Sequence, residues 1–149
     1  NYLGYIEEAF LAYKTERYNI KGKDVVAGNC KYYLNDLSFK NFLYPSFAYG
    51  VGYLLENAVY LELRRLGYIV YTGSFRDKEV DFVAMKDDRV IYLQATYMLE
   101  TAQTMEREYA PLLTIGDNYE KYVVSMDEVQ FPSNEGVRHI QAWNLKEIL

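Results

Sequence analysis

An α/β fold with a mixed sheet is the class this sequence predicts, and three observations predict it. A long amphipathic stretch over residues 47–66 has helical spacing and ends at a glycine. Three short apolar runs follow within residues 68–96, each bounded by turn residues. A second helical stretch then leads into the apolar run 121–125. Helix, three strands, helix, strand is the order of a sheet covered by helices. The 149 residues suit one domain, half of them apolar and a quarter charged.

Before this core, residues 1–44 predict a helix and short strands packed on the 45–149 unit. Leu3, Ile6, Phe10 and Leu11 have helix-like spacing. Residues 11–20 alternate loosely and end at the turn signal Lys21-Gly22-Lys23. Val25-Val26 and Cys30–Leu34 read as two short strands of a small sheet. Pro45 marks a break.

The core helix starts near Phe47. Val51, Leu54, Leu55, Ala58, Val59, Glu62 and Leu66 lie near one face, and Gly67 stands where a C-terminal cap belongs. Gly50 and Gly52 weaken its first turn and favour a later start. Tyr68–Tyr71 is a strand, stopped by Thr72-Gly73-Ser74. Two strands then flank the turn around Asp87-Asp88, which pairs residues whose numbers sum to 175. That register sets Val80, Phe82 and Ala84 against Ile91, Leu93 and Ala95 on one apolar face. On the other face Asp81 lies beside Gln94, and Glu79 beside Thr96.

Thr101 can cap a second helix with Met105, Tyr109 and Leu112 on one stripe. Pro111 should kink or split it, and Gly116 ends it. Lys121–Ser125 is a buried strand, 130–136 a loop, and Val137–Ala142 an edge strand. Asn144 is positioned to cap a short terminal helix.

These residues carry a resemblance. The order αβββαβ, with an acid on one strand facing a triplet on the next, resembles the PD-(D/E)XK, or restriction endonuclease-like, superfamily. Nearly the whole chain is similar to the domain of unknown function that follows the P-loop module of prokaryotic AAA-type ATPases. The matching stretches are Lys31–Asp36, Leu55-Glu56-Asn57, Glu79–Phe82, Leu93-Gln94-Ala95 with Glu100-Thr101 and Arg107-Glu108, Lys121–Asp127 and Val137–Ile140. The resemblance implies a restriction endonuclease-like core with Glu56 as the helix carboxylate and Asp81 as the main metal ligand. Gln94 stands where the second carboxylate belongs, and Thr96 where the lysine belongs. The implied metal is Mg²⁺ or Mn²⁺, held by Asp81, Glu56 and Glu79, which sits one pleat from Asp81. An amide and a hydroxyl supply neither the charge nor the cation of the intact triplet. The expectation is therefore a non-catalytic, nuclease-like accessory domain of a cytoplasmic P-loop ATPase. Its partner is its own ATPase module, with DNA as a further ligand. The alternatives are an active Mg²⁺- or Mn²⁺-dependent nuclease using Glu56, Glu79 and Asp81, and a protein-interaction module docking through residues 1–40.

Composition narrows the field. A net charge of −5, with +1 on residues 1–47 and −6 on the rest, disfavours generic phosphate binding. One cysteine, Cys30, excludes an internal disulfide and a zinc–cysteine cluster, and reads as a small core residue. No G-x-x-x-x-G-K-[ST] loop occurs, so these residues hold no P-loop ATP site. No apolar run reaches membrane-spanning length. The chain opens on Asn1, which fits a piece of a longer parent. His139, the sole histidine, reads as a surface or strand residue rather than a triad member. Glu106-Arg107-Glu108 reads as a solvated face or an intradomain ion pair. Lys14, Arg17, Lys21 and Lys23 read as solvated hairpin charge.

Overall fold

The computed structural model describes residues 2–43, 45 and 50–149. Its centre is one seven-stranded mixed sheet, ordered β2-β1-β3-β4-β5-β6-β7. The strands are β1 (Ala12–Asn19), β2 (Asp24–Leu34), β3 (Ile69–Phe75), β4 (Lys78–Lys86), β5 (Arg89–Ala95), β6 (Glu120–Ser125) and β7 (Val137–Gln141). Among the described residues four α-helices accompany them: α1 (Tyr2–Glu8), α2 (Ser38–Leu43), α3 (Val51–Arg65) and α4 (Ala102–Leu113). A 3₁₀ segment, Ala142–Glu147, closes the chain.

Two cores lie on opposite faces of the sheet. Leu55, Val59, Tyr60 and Leu63 of α3 pack with Val70, Phe82, Ala84, Ile91, Leu93, Tyr122 and Val124. Tyr109 and Leu112 of α4 pack with Val80, Val83, Tyr92, Val123 and Val137. Alternation along β5 and β6 divides their side chains between the two faces, as a pleated strand requires.

α3 lies within the expected stretch, but residues 47–49 of that expectation fall outside the described residues. Its buried stripe is Leu55, Val59, Tyr60 and Leu63, with Asn57; Val51 and Ala58, expected on that stripe, are exposed. Gly67 ends the helix as expected. At φ +87° it lets its own N–H reach the Arg64 carbonyl while Tyr68 N–H reaches Leu63, a Schellman cap. Thr101 caps α4, its hydroxyl accepting the Thr104 N–H at 3.0 Å. Pro111 does not split α4. It lies in the last turn, where only the tail of the hydrogen-bond ladder is at stake.

β3 continues through Thr72-Gly73-Ser74 instead of stopping there. Gly73 is a packing glycine: a Cβ there would stand 2.8 Å from Val83 Cγ2 and 3.0 Å from Ile20 Cδ1. The residues expected as two strands, 25–26 and 30–34, form the single strand β2. β1 runs parallel to β3, so the N-terminal hairpin extends the main sheet instead of forming a small one of its own. β2 is tied to α3 by Asn57, which accepts the Leu34 N–H at 2.8 Å and donates to the Leu34 carbonyl at 2.9 Å. That bidentate bond explains a buried asparagine on a core-facing helix. In the terminal segment Asn144 lies inside the 3₁₀ turn, and Gln141, not Asn144, precedes its first residue.

Candidate functional site: carboxylates around Lys31

The β4–β5 hairpin has the expected register, from Phe82↔Leu93 to Lys86↔Arg89. One step beyond Phe82 the pattern changes. Tyr71 pairs with Val83 and Gly73 with Val80, so Asp81 and Phe82 together oppose Thr72. This is a β-bulge, with two residues of β4 against one of β3. The extra residue moves Val80 into the α4-side core, away from Phe82 and Ala84 on the α3 side. The expected single apolar face Val80–Phe82–Ala84 is thus broken at the bulge.

The bulge also separates the two residues expected side by side. Asp81 turns its carboxylate towards β2 and α3, where Lys31 Nζ lies 3.5 Å from Oδ1. Gln94 points to α4, where its Nε2 donates to Glu108 Oε2 at 3.3 Å. They are linked through main chain instead. Asp81 N–H donates to Gln94 Oε1 at 3.2 Å, and Ala95 N–H donates to Asp81 Oδ2 at 2.9 Å. Side-chain oxygens thereby satisfy backbone donors just where the β4–β5 ladder ends.

Lys31 is the hub. Its ammonium lies 2.9 Å from Glu56 Oε1, 2.9 Å from Glu79 Oε1 and 3.5 Å from Asp81 Oδ1. Glu56 Oε1 also accepts the Tyr33 hydroxyl at 2.7 Å, and Arg17 holds the other oxygen of Glu79 at 2.8 Å. Tyr33 is buried, with its ring stacked 4.2 Å from that of Tyr60, and it lines a cavity of about 260 Å³ together with Lys31, Glu56 and Asn57. Glu56, Glu79 and Asp81, named from sequence, do come together. Thr96 does not join them: it is buried just past the end of β5, with its N–H on the Val124 carbonyl.

Burial opposes charge throughout this cluster, and the neighbours decide who keeps it. For Lys31, burial favours the neutral amine, but Asp81, Glu56 and Glu79 outweigh it and raise the pKa, so the ammonium persists. Asp81 is pushed up to about 7, chiefly by burial and then by Glu56, with Lys31 and the Ala95 N–H only partly offsetting the rise. Burial also pushes Glu79 up, but Lys31 and Arg17 prevail and hold it low. The Tyr33 hydroxyl is raised by burial and by Glu56 and stays a donor.

Two members escaped the sequence reading. Lys31 opens one of the stretches that carry the resemblance, but the resemblance gives it no role; its signal was its place on the same strand face as Tyr33, two residues on. The expectation for Glu106-Arg107-Glu108 is a solvated face or an intradomain ion pair; the ion pair is present, and while Glu106 and Arg107 are exposed, Glu108 is buried. Its signal was helical: Met105, Glu108, Tyr109 and Leu112 share one stripe at three-to-four spacing. Arg107 NH2 closes an ion pair on Glu108 Oε1 at 2.7 Å. Among the described residues no three His, Cys, Asp or Glu side chains are placed to hold a metal ion, because the carboxylates converge on Lys31 instead. The donor set as arranged therefore does not fit the Mg²⁺ or Mn²⁺ that the resemblance implies.

The remaining candidates are structural. His139 lies in β7 as a strand residue, but it is buried and not on the surface. Its Nδ1 accepts the Phe131 N–H at 3.2 Å, which leaves the proton on Nε2 facing Ser125 Oγ at 2.8 Å. Ser125 in turn donates to Asp127 Oδ2 at 2.6 Å. The serine sits between histidine and aspartate, and a histidine whose Nε2 already carries its proton cannot deprotonate that serine. Burial lowers the His139 pKa and keeps the ring neutral. Cys30, expected in the core, is half-buried on the outer strand β2. Lys14, Lys21 and Lys23 are exposed, as expected of hairpin charge, whereas Arg17 is committed to Glu79. No described helix is long and apolar enough to cross a membrane.

Comparison with known proteins adds relatives but no activity. No family model matches the chain. No solved structure matches it. An uncharacterised protein of Haemophilus influenzae is 36% identical over 124 residues, covering 83% of this chain and 30% of that protein. An uncharacterised protein of Methanocaldococcus jannaschii is 33% identical over 112 residues, covering 72% of this chain and 24% of its own length. The chain thus spans less than a third of the curated relatives it is similar to.

Proposed function

We propose that this chain is a restriction endonuclease-like accessory domain of a prokaryotic P-loop ATPase, with a binding or regulatory role in place of cutting. The observation that carries this reading is the position of Lys31, whose ammonium stands among Glu56, Glu79 and Asp81. A divalent ion would have to displace a charged, hydrogen-bonded lysine from partners it holds at 2.9 Å. Longer relatives, of which this chain covers 30% and 24%, are what an accessory domain leads one to expect. DNA is a candidate ligand, through the ATPase module more than through this acidic chain, with its net charge of −5.

One observation favours a second reading, an active metal-dependent nuclease. The two groups missing from the triplet return in space from other elements: an ammonium from Lys31 and a carboxylate from Glu108 beside Gln94. Calorimetric titration with Mg²⁺ and Mn²⁺, paired with DNA and RNA cleavage assays, separates the two readings. The accessory reading expects neither tight binding nor turnover. Tight Mn²⁺ binding together with cleavage, both abolished by Asp81→Ala, overturns it in favour of the nuclease.

A further inference from the structure

The cavity of about 260 Å³ beside the carboxylates lies between β2, α2 and the first half of α3. It is smaller than the about 300–1,000 Å³ of a drug-sized ligand site, so it takes one side chain or a fragment of that size. Leu34, Leu37, Leu54 and the rings of Tyr32, Tyr33 and Tyr53 make most of its wall apolar. The charged residues that line it are Lys31, Lys40 and Glu56.

The supply of donors and acceptors decides what chemistry fits. An ammonium has three N–H groups, and those of Lys31 face Glu56, Glu79 and Asp81. Both ends of the Asn57 amide are bound to Leu34. Tyr33 donates its one proton to Glu56 Oε1, which also accepts from Lys31. No hydrogen bond among the described residues takes Glu56 Oε2. What these groups still offer is acceptors, the Glu56 Oε2 atom and the Tyr33 hydroxyl oxygen, so a fitting ligand brings donors. Charge points the same way, because Glu56, Glu79 and Asp81 outnumber Lys31 and Arg17 by one. The faces of tyrosine rings attract cations, and a planar, weakly hydrated guanidinium stacks on them. An anion would have Lys40 in its favour and the Glu56 carboxylate against it, with Lys31 already committed. We propose that this cavity binds a guanidinium group on a short aliphatic stem, with its N–H groups on Glu56 and Tyr33 and its plane against the tyrosine rings. This rests on the binding role proposed above and names the ligand chemistry of that same site. The guanidinium comes from a free small cation or from an arginine side chain of a partner protein.

NMR titration of the isotope-labelled chain with n-butylguanidinium tests the proposal, with n-butylammonium and pentanoate as controls of similar size. A Kd of about 1 mM is expected for a ligand of this size, with amide shifts at Tyr33, Leu34, Leu54 and Asn57. Butylammonium should bind about threefold more weakly, and pentanoate should shift nothing. Glu56→Gln should weaken guanidinium binding about tenfold. Lys40→Gln, which leaves the Lys31 cluster in place, should tighten it about twofold. An acetyl-Gly-Arg-Gly amide peptide separates the two sources: binding as tight as that of butylguanidinium assigns the group to a partner's arginine, and its absence assigns the group to a free cation. No butylguanidinium binding at about 20 mM overturns the proposal, as does binding of pentanoate in its place. Binding unchanged by Glu56→Gln, or weakened by Lys40→Gln, overturns it too. Each of these failures leaves the accessory-domain reading standing, because that reading falls to tight Mn²⁺ binding with cleavage and not to the loss of a guanidinium ligand.

Discussion

Asp81→Asn should stabilise this protein, although it removes the residue that the fold presents most deliberately. The carboxyl is buried and faces Glu56 as well as Lys31, and its pKa rises from an ordinary 3.8 to about 7. A raised carboxyl pKa means that the native state holds the proton more tightly than the unfolded chain. The contribution of Asp81 to stability is therefore greatest below about pH 4, falls as pH rises towards 7, and is flat above. At about 1.4 kcal/mol per pH unit, the three-unit span sets a ceiling of about 4 kcal/mol on the cost of ionising Asp81 in place. Relaxation of the cluster and the polarity of its neighbours reduce that to about 1–2 kcal/mol. Asparagine keeps an oxygen for the Ala95 N–H and adds no charge. Lys31 retains Glu56 and Glu79 as partners. Urea denaturation of parent and variant at pH 4.5 and pH 8 measures the difference directly. The variant should gain about 1–2 kcal/mol at pH 8 and almost nothing at pH 4.5. A variant that is less stable at pH 8, or whose advantage does not change with pH, refutes the account of Asp81 as a carboxyl ionised at a cost.

Lys31→Met should act in the opposite sense, costing about 2–3 kcal/mol at pH 7, because Glu56, Glu79 and Asp81 lose their shared counter-charge in a partly buried setting. Since Lys31 has a raised pKa, its contribution is complete below about pH 10 and fades as pH rises beyond that, so the gap between parent and variant in thermal melts should narrow at strongly alkaline pH. Gly73→Ala should cost about 2–3 kcal/mol in urea denaturation, since its Cβ would meet Val83, Ile20 and the Val80 Cβ at 2.8–3.0 Å within a sheet that cannot yield cheaply. Thr101→Ala should cost about 1 kcal/mol and speed amide exchange in the first turn of α4 by removing the acceptor for the Thr104 N–H.

Local signals carried much of the fold and little of the site. Elements 51–65, 102–113 and 120–125 were legible because period and caps agreed, as at Gly67 and Thr101. The hairpin register was legible because setting Phe82 and Ala84 against Leu93 and Ile91 keeps one face wholly apolar, which a one-residue slip would destroy. The continuation of β3 past Gly73 was not, because the glycine that reads as a stop is required by close packing from β4 and Ile20. The single strand β2 was not, because the runs 25–26 and 30–34 are joined by a stretch where the pairing with β1 shifts register, which no local pattern announces. For the site, Glu56, Glu79 and Asp81 could be named from type and order. Their organiser, Lys31, lies 25 residues from Glu56 and 50 from Asp81 in sequence, a distance that no local pattern spans. The bulge at Asp81–Phe82 was equally invisible, since it depends on how β3 pairs and not on β4 itself.

That bulge explains why restoring the triplet is not a matter of one substitution. Gln94 uses both ends of its amide: Oε1 accepts the Asp81 N–H, and Nε2 donates to Glu108. A glutamate at 94 could do the first and not the second. It would bring two carboxylates to about 3.3 Å on the α4 side, close to a third, Asp81, that already ionises with difficulty, and like charges at that separation do not share a site without a proton or a cation between them. Gln94→Glu should therefore destabilise the metal-free protein by about 1–3 kcal/mol at pH 8 and be relieved at pH 5, where a proton can bridge the pair. Adding Glu108→Gln exchanges the roles of the two residues and should recover most of the loss. Urea denaturation of the two single variants and the double variant closes the cycle. If Gln94→Glu is harmless alone, or Glu108→Gln fails to rescue it, the two residues are not coupled, and the amide at 94 has no partner that requires it to remain an amide.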